Sequence, residues 1–338
     1  MPALVPPPLG RAIIALAVLL TLAGGSAPAD LIDYPTVSVG NPNNSGQGSY
    51  GSVSYAFAIG KYDVTVGNYT TFLNAVDPTG ANPHALYNAS MATDLNVAGI
   101  AFNAAASSGS KYSVIGSQNH PITYVSWFDA ARFANWMANG QGSGSTETGS
   151  YTMNGNNVVP LNPGARVYIP TENEWYKAAF YSPVKGGVGS PGYWAYATQS
   201  NTAPGNHVGS AANQANYKPG DVYSVTQAGY NSSQNYLTDV GAYTGSASYY
   251  GTFDQNGLLF NWIGQGAMRG GSWDNSDPLT LSSAARAEPN QATEGYYLGF
   301  RLSFYPDPVP EIDGAGLGMA MSLVAGSLAL LERRRRGV

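Results

Sequence analysis

Two helices can be predicted directly from residues 121–136, PITYVSWFDAARFANW, and residues 168–179, YIPTENEWYKAA. In the first, Ser126 is a suitable N-cap, and apolar residues recur every three or four positions along a predicted helix over residues 127–138. The second contains Thr-Glu-Asn-Glu, which matches a capping box, so we expect a helix there that ends near residue 181. Both helices would turn tryptophan and alanine toward a core.

The remaining regular structure that the sequence predicts is sparse. A third helix is expected over residues 66–76, with Thr65 as its N-cap. Edge strands are expected within residues 34–56, where polar and apolar residues alternate around glycine and asparagine. Late strands are expected at residues 269–273 and 298–302. Between these elements lie long segments rich in Gly, Ser, Asn and Pro, and most standard folds do not tolerate loops of such length.

The composition of the 338-residue chain excludes several classes of protein. It has no cysteine, which rules out a disulfide scaffold, a zinc ribbon and a thiol nucleophile in this chain. Only 10% of the residues are charged and 24 are tyrosine, so we do not expect an intrinsically disordered chain of high charge. The formal net charge is -5 and no basic patch occurs in the central region, so no nucleic-acid partner is expected.

The N-terminal residues 1–29 have the three parts of a secretory signal peptide. Arg11 supplies the positive charge, residues 12–23 form an apolar run, and Ala27-Pro28-Ala29 is a suitable cleavage site. The alternative is an uncleaved N-terminal anchor, although the apolar run is short for a membrane span. We therefore expect an exported protein.

The C-terminal residues 309–338 predict a membrane anchor. Residues 314–331 carry no charge and are about long enough to cross a bilayer, and Arg333–Arg336 should keep the end of the chain cytoplasmic. A buried core helix would not explain the terminal arginines. With the preceding Val309-Pro310-Glu311-Ile312-Asp313, the segment resembles the PEP-CTERM sorting signal. That resemblance implies exosortase-type sorting machinery as a partner, transient anchoring in the membrane, and delivery to the cell surface or extracellular matrix.

The intervening residues 30–308 resemble the sulfatase-modifying-factor domain, the family of the formylglycine-generating enzyme. Five pieces carry the resemblance in the family's order: YDVTVGNY (62–69), PITYVSWFDAARFANW (121–136), YIPTENEWYKAA (168–179), RGGSW (269–273) and LGFRL (298–302). The resemblance covers a core of about residues 55–304. It implies a C-type-lectin-like α+β fold with few helices, short strands and long irregular loops.

The family's founding activity oxidises a cysteine of a client sulfatase with copper held by two cysteines, which follow the RGGS motif. The matching segment here, residues 274–283, has no cysteine, and amides and hydroxyls are poor ligands for copper(I). We therefore expect no copper site and a non-catalytic binding or structural role. A second branch of the family uses iron and a histidine cluster, but His84, His120 and His207 are widely separated in sequence.

Family members also hold structural calcium near a GNxWEW motif, and residues 253–262 match that stretch. The resemblance makes the side chains of Asp254 and Asn261 and the carbonyls of Gly257 and Leu259 candidate calcium ligands. Asn261 stands where the family has a glutamate, and a neutral amide is the weaker ligand. The alternative is a turn in which the Asp254 side chain caps its own backbone.

Several large or charged side chains have predicted structural roles. Four tryptophans are expected to anchor the core: Trp127, Trp136, Trp175 and Trp273. Three arginines are expected to bond loop carbonyls or carboxylates such as those of Glu172 and Glu174: Arg132, Arg286 and Arg301. The adjacent glycines of RGGSW suit a bulge or a close backbone approach.

The sequence supports two hypotheses about function. The first is an exported binding or structural module whose partner is an exopolysaccharide or a surface protein. Its candidate surface residues are Tyr193, Trp194, Tyr196, Tyr249 and Tyr250, each of which could instead be packed in the core or a loop. The second is a divergent metal-dependent oxidoreductase that uses the same cleft. The first predicts a cleft lined by aromatics and amides, and the second a titratable cluster with a metal near residues 269–286.

Overall fold

The computed structural model describes residues 31–155, 159–264 and 266–305. The predicted signal peptide at 1–29 and the predicted sorting signal at 309–338, with its helix at 314–331, lie outside the described residues. Within the described part of the chain, every helix is too short or too polar to cross a bilayer.

The helices and strands of the described chain are short and are separated by long irregular connections. The α-helices are α1 (Val66–Val76), α2 (Ser90–Thr93), α3 (Trp127–Ala138) and α4 (Glu172–Phe180). The strands are β1 (Thr36–Val39), β2 (Phe57–Gly60), β3 (Ile100–Phe102), β4 (Tyr112–Val114), β5 (Val167–Tyr168), β6 (Tyr181–Ser182), β7 (Gly192–Tyr193), β8 (Phe260–Ile263), β9 (Ala267–Arg269), β10 (Leu298–Phe300) and β11 (Ser303–Phe304). The α+β class with short strands and irregular loops is confirmed.

Capping boxes fix the starts of the three longer helices. In α1, α3 and α4 the N-cap hydroxyl accepts from the backbone of the third helical residue, whose side chain accepts in turn from the N-cap backbone. The predicted helices and their N-caps Thr65, Ser126 and Thr171 are confirmed. The sequence predicted a full box only at Thr171, and Asn68 and Asp129 complete the same box in α1 and α3.

The largest sheet joins the two ends of the described chain. Its strand order is β1-β2-β11-β5, and Ser303 pairs with Ile59 on one side and Tyr168 on the other. A second sheet pairs β8 in parallel with β10 and antiparallel with β9.

The predicted strands were longer than those in the structure. Within residues 34–56 only Thr36–Val39 form a strand. The strand predicted at residues 269–273 ends at Arg269, because Gly270 and Gly271 have φ values of 107° and 77°, which leave the extended region. The strand predicted at residues 298–302 stops at Phe300 and resumes as β11.

The tryptophans anchor the core as predicted. Trp127, Trp136, Trp175 and Trp273 are all buried, and Trp262 on β8, which the sequence analysis did not single out, is fully buried as well. Because each indole removes a large apolar area from water, these rings hold together a domain whose strands are short.

The predicted structural arginines also form bonds inside the protein. Arg132 pairs with Glu147 at 2.7 Å, Arg286 with Glu172 at 2.8 Å, and Arg301 with Asp63 at 2.6 Å. The expectation for Glu174 was wrong. Its carboxylate accepts hydrogen bonds from Tyr55, Tyr168 and Thr171, because α4 turns it toward these hydroxyls and the cap backbone.

Candidate functional site: an aromatic cleft

A cleft of about 240 Å³ lies where four separate segments of the chain meet. Its lining residues are Asp94, Asn96, Tyr230, Trp273, Asp274 and Tyr296. Trp273 forms the buried base, and the rings of Tyr230 and Tyr296 are 62% and 36% exposed. The cleft therefore combines ring faces with carboxylate and amide groups.

The turn after β9 positions Trp273. The Gly257 N–H donates to the Gly270 carbonyl at 2.7 Å, and the Trp273 N–H donates to the Leu258 carbonyl at 3.0 Å. A Cβ on Gly271 would lie 2.8 Å from Leu281 Cδ1, so a larger residue does not fit there. The predicted close backbone approach at these glycines is confirmed, and it fixes where the indole lies.

Buried rings stack behind the cleft and support its base. Tyr236 lies nearly parallel to Trp273, with centroids 5.3 Å apart and planes at 12°, and Tyr223 stacks on Tyr236 at 4.0 Å. At the exposed edges, Tyr230 lies 6.2 Å from Tyr236 and Tyr296 lies 5.7 Å from Trp273. Such a stack restricts ring motion, so the exposed faces are held in place before any ligand binds.

The amide of Asn96 holds the loop that carries Tyr230. Its Nδ2 donates to the carbonyls of Asn231 at 3.1 Å and Gln234 at 2.8 Å, and its Oδ1 accepts from the Tyr230 hydroxyl at 2.8 Å. The Asn96 carbonyl also accepts from the Tyr236 N–H at 2.8 Å. Asn96 is buried and fully used, so its role is to position the rings.

An ion pair borders the cleft on the side of Asp274. Lys218 Nζ lies 2.9 Å from Asp274 Oδ1, and the Tyr296 hydroxyl donates to Asp274 Oδ2 at 3.2 Å. Burial opposes the charged form of Lys218, but the hydrogen bond and charge of Asp274 outweigh it and raise the lysine pKa. Lys218 therefore stays protonated and is not a nucleophile at neutral pH.

Asp94 also borders the cleft, and it forms no ion pair with another described residue. Its Oδ2 accepts from the Tyr124 hydroxyl at 2.5 Å, and its Oδ1 accepts from the Asn96 N–H at 3.1 Å. Burial and the hydrogen bond to Asp94 raise the pKa of Tyr124, so the phenol remains a donor. These two bonds fix the orientation of the Asp94 carboxylate.

The residues predicted to bind calcium do not line the cleft. Asn261 Oδ1 accepts from Arg301 Nε at 2.8 Å and from Trp175 Nε1 at 3.0 Å, and Asp254 Oδ2 accepts from the Gly241 N–H at 2.7 Å. A guanidinium thus faces the Asn261 oxygen, which does not fit a second cation at that atom. The site at Asp254, Gly257, Leu259 and Asn261 stays a prediction.

The aromatic residues predicted to form a surface do not line the cleft. Tyr193 and Tyr196 are 8% and 5% exposed, which confirms the alternative that they pack in the core. Trp194 lies against the Lys185 ammonium, and Tyr249 packs on Tyr250 with centroids 5.2 Å apart. Sequence reasoning missed Tyr223, Tyr230, Tyr236 and Tyr296, and the signal available was their density in segments that predict no helix or strand.

The three histidines lie in different surroundings. His84 lies 3.7 Å from Glu147, and His120 lies 3.8 Å from Asp239. The His207 N–H donates to Gln214 Oε1 at 2.9 Å. The described ranges contain no group of three His, Asp or Glu side chains that could hold a metal ion.

A second cavity, of about 490 Å³, lies near the start of α4 and is less suited to recognition. Its charges are already paired: Glu172 bonds Arg269 at 2.7 Å and Arg286 at 2.8 Å, and Arg286 bonds Glu288 at 2.6 Å. The described residues that line it include no aromatic ring. We therefore take the aromatic cleft as the candidate site.

Comparison with known proteins identifies the family. Residues 36–304 match the family described as the sulfatase-modifying factor enzyme 1-like domain. The chain belongs to this family. The match spans the two larger sheets, the three capped helices and the cleft. No curated protein matches the chain.

Solved structures of low sequence identity resemble this domain. Variable protein 1 of Treponema denticola has 15% identity and a TM-score of 0.47, and covers 83% of this chain and 98% of its own. CarF has 19% identity and a TM-score of 0.47, with 82% and 100% covered. PvdO of Pseudomonas aeruginosa has 16% identity and a TM-score of 0.43, with 83% and 100% covered.

The donor atoms near the cleft do not fit the copper chemistry of the family's founding enzyme. The segment that follows Trp273 provides the Asp274 carboxylate, which the Lys218 ammonium already faces, and the Asn275 amide, whose oxygen accepts from the Ser272 N–H at 2.7 Å. Copper(I) prefers soft thiolates, and the chain has no cysteine. No step of copper oxidation can therefore be assigned to these residues.

Proposed function

We propose that this protein is an exported, non-catalytic binding module of the cell surface or extracellular matrix, and that its aromatic cleft holds one sugar unit of a polysaccharide. The observation that carries the proposal is that Tyr230 and Tyr296 are exposed above a buried ring stack. An exposed ring that is already fixed in position costs little conformational entropy when a ligand covers it.

Sugars suit the chemistry of the cleft. The C–H face of a pyranose ring can lie against a tyrosine face, while its hydroxyls need hydrogen-bond acceptors close by. An ionised carboxylate can accept about four hydrogen bonds, and Asp94 uses two of these within the protein. The remaining sites on Asp94 are available to ligand hydroxyls or to bridging water.

The size of the cleft favours one unit of a longer chain. At about 240 Å³ it is smaller than the roughly 300 to 1,000 Å³ typical of sites for drug-sized ligands. A polysaccharide could place one residue between the rings and extend over the surface on both sides. Single-site affinity would then be modest, and several copies on a surface would gain by multivalency.

Export and surface delivery are part of the same proposal. The signal peptide at residues 1–29 and the PEP-CTERM resemblance at residues 309–338 support it, with exosortase-type sorting machinery as the partner that processes the tail. A polysaccharide ligand would then be met outside the cell. Calcium at the predicted site is a separate proposal that the same experiment can address.

A binding screen against matrix polysaccharides and defined glycans tests the function. The purified full chain is tested with and without a chelator, and the best oligosaccharide is then titrated by calorimetry. Tyr230→Ala should weaken binding about tenfold, a loss of about 1.4 kcal/mol, because it removes the exposed ring against which the sugar would pack. Loss of binding with the chelator would support the calcium proposal.

Tyr249→Ala is the matched control for this test. Tyr249 is a tyrosine of 40% exposure that packs on Tyr250 outside the cleft, so its removal should leave affinity unchanged. Equal losses in both variants, or no glycan bound by the wild type, would refute the proposed cleft function.

A further inference from the structure

The charges around the cleft are unbalanced, and this imbalance selects among saccharides. Asp94 and Asp274 both line the cleft, and Lys218 neutralises Asp274. Among the described residues Asp94 forms no ion pair. The Asp221 carboxylate also lies 3.7 Å from Lys218, so this one ammonium already faces two carboxylates.

We propose that the cleft prefers a cationic amino-sugar polymer, in which free amines take the place of acetamido groups, over neutral and anionic polysaccharides. This inference rests on the proposed function and names its ligand class. An ammonium group on the bound sugar would pair with the Asp94 carboxylate and complete the charge balance of the site.

The geometry of Asp94 suits an ammonium. The Tyr124 hydroxyl and the Asn96 N–H hold the two carboxylate oxygens, one bond to each, and leave the other acceptor positions of both oxygens free. A carboxylate fixed in this way loses little freedom when it binds an ion. A charge-assisted bond to an ammonium is shorter and stronger than a bond to a neutral hydroxyl.

The aromatic rings add to the preference for positive charge. Tyr230 and Tyr296 are exposed and line the cleft, and a ring face attracts cations through its quadrupole. Ring faces and the unpaired Asp94 carboxylate both repel anions, so a uronate or sulfate ester would meet an unfavourable field. The formal net charge of -5 on the whole chain has the same sign and would steer cationic polymers toward it.

The test compares four ligands on the full chain in mildly acidic, low-salt buffer, where sugar amines are protonated. The ligands are fully deacetylated glucosamine oligomers, their N-acetylated counterparts of equal length, oligouronates, and oligolysine as a cationic peptide. The deacetylated oligomer should bind about tenfold more tightly than its N-acetylated counterpart, and added salt should reduce that ratio. Oligouronates should bind weakest of all.

Asp94→Asn removes the unpaired charge and keeps the shape of the side chain. It should lower affinity for the deacetylated oligomer about tenfold and leave the N-acetylated oligomer nearly unchanged. Asp33→Asn is the matched control, since Asp33 is an exposed carboxylate that does not line the cleft and its replacement changes the net charge equally. The control variant should retain the wild-type preference.

The possible outcomes separate the two proposals. Equal or better binding of the N-acetylated oligomer or the oligouronate, or an equal effect of both variants, overturns the amino-sugar preference and leaves the saccharide function standing. Tight binding of oligolysine together with no binding of any sugar overturns both proposals. Failure to bind any of the four ligands also overturns both proposals.

Discussion

Removal of Arg301 should destabilise the domain more than removal of any surface charge. Its guanidinium donates to Asp63 at 2.6 Å, Asn261 at 2.8 Å, and the carbonyls of Phe253 at 2.8 Å and Gly60 at 3.1 Å. The side chains of Arg301 and Asp63 are both fully buried. Arg301→Met would leave the Asp63 carboxylate in the interior without a partner.

The expected loss follows from that unpaired charge. Breaking a buried ion pair on one side costs about 3–5 kcal/mol, since the remaining charge is left desolvated and uncompensated. Domains of this kind are stable by about 5–15 kcal/mol, so the variant should unfold at a much lower urea concentration. Equilibrium urea unfolding followed by tryptophan fluorescence measures the change.

Two comparisons make the Arg301 result specific. Arg286→Met removes an arginine that is partly exposed and paired with Glu172 and Glu288, and it should cost no more than about 1 kcal/mol. Adding Asp63→Asn to Arg301→Met should recover part of the loss, because the buried charge is then gone. If Arg301→Met lowered the free energy of unfolding by less than about 1 kcal/mol, as little as Arg286→Met, Arg301 and Asp63 would not form the buried ion pair described here.

Three further predictions concern pH, backbone fit and metal content. Burial raises the pKa of Asp129 from 3.8 to about 7, so its contribution to stability is complete below about pH 4 and is lost as the pH rises through about 7. Asp129→Asn should therefore flatten this part of the curve when the free energy of urea unfolding is measured against pH. An unchanged slope would contradict the shift. Gly271→Ala should lower the free energy of unfolding by about 2 kcal/mol or more, because its φ is 77° and the new Cβ would lie 2.8 Å from Leu281. Gly140→Ala is the control in the same assay. Its φ is 79° but its Cβ would enter open space, so it should show only the smaller backbone penalty. Elemental analysis of the purified full chain should find no stoichiometric copper or iron, and one bound copper per chain would contradict the account of the donor atoms.

Local signals explain which parts of the fold could be predicted from the sequence. The helices at residues 66–76, 127–138 and 172–180 are set by a capping residue and by apolar spacing, and both are visible within a dozen residues. The strand predicted at residues 269–273 was wrong beyond Arg269, because Gly270 and Gly271 adopt positive φ. A Cβ on Gly271 would meet Leu281, and the local sequence does not indicate that contact.

The cleft could not be predicted, because its residues come together only through tertiary contacts. Asp94, Tyr230, Trp273 and Tyr296 belong to four segments, and all four residues lie outside the helices and strands, with no periodic pattern to follow. The calcium motif shows the same limit. It identified Asn261, but the sequence gives no sign that Arg301 would reach the Asn261 oxygen.

We propose that a family scaffold without thiolates uses its aromatic cleft to hold a sugar. A crystal structure of the full chain with the tightest oligosaccharide from the binding screen would show this directly. We expect a sugar ring against Tyr230 and Tyr296, with a hydrogen bond or ion pair to Asp94. A ligand bound elsewhere on the surface, with the cleft filled only by water, would contradict it.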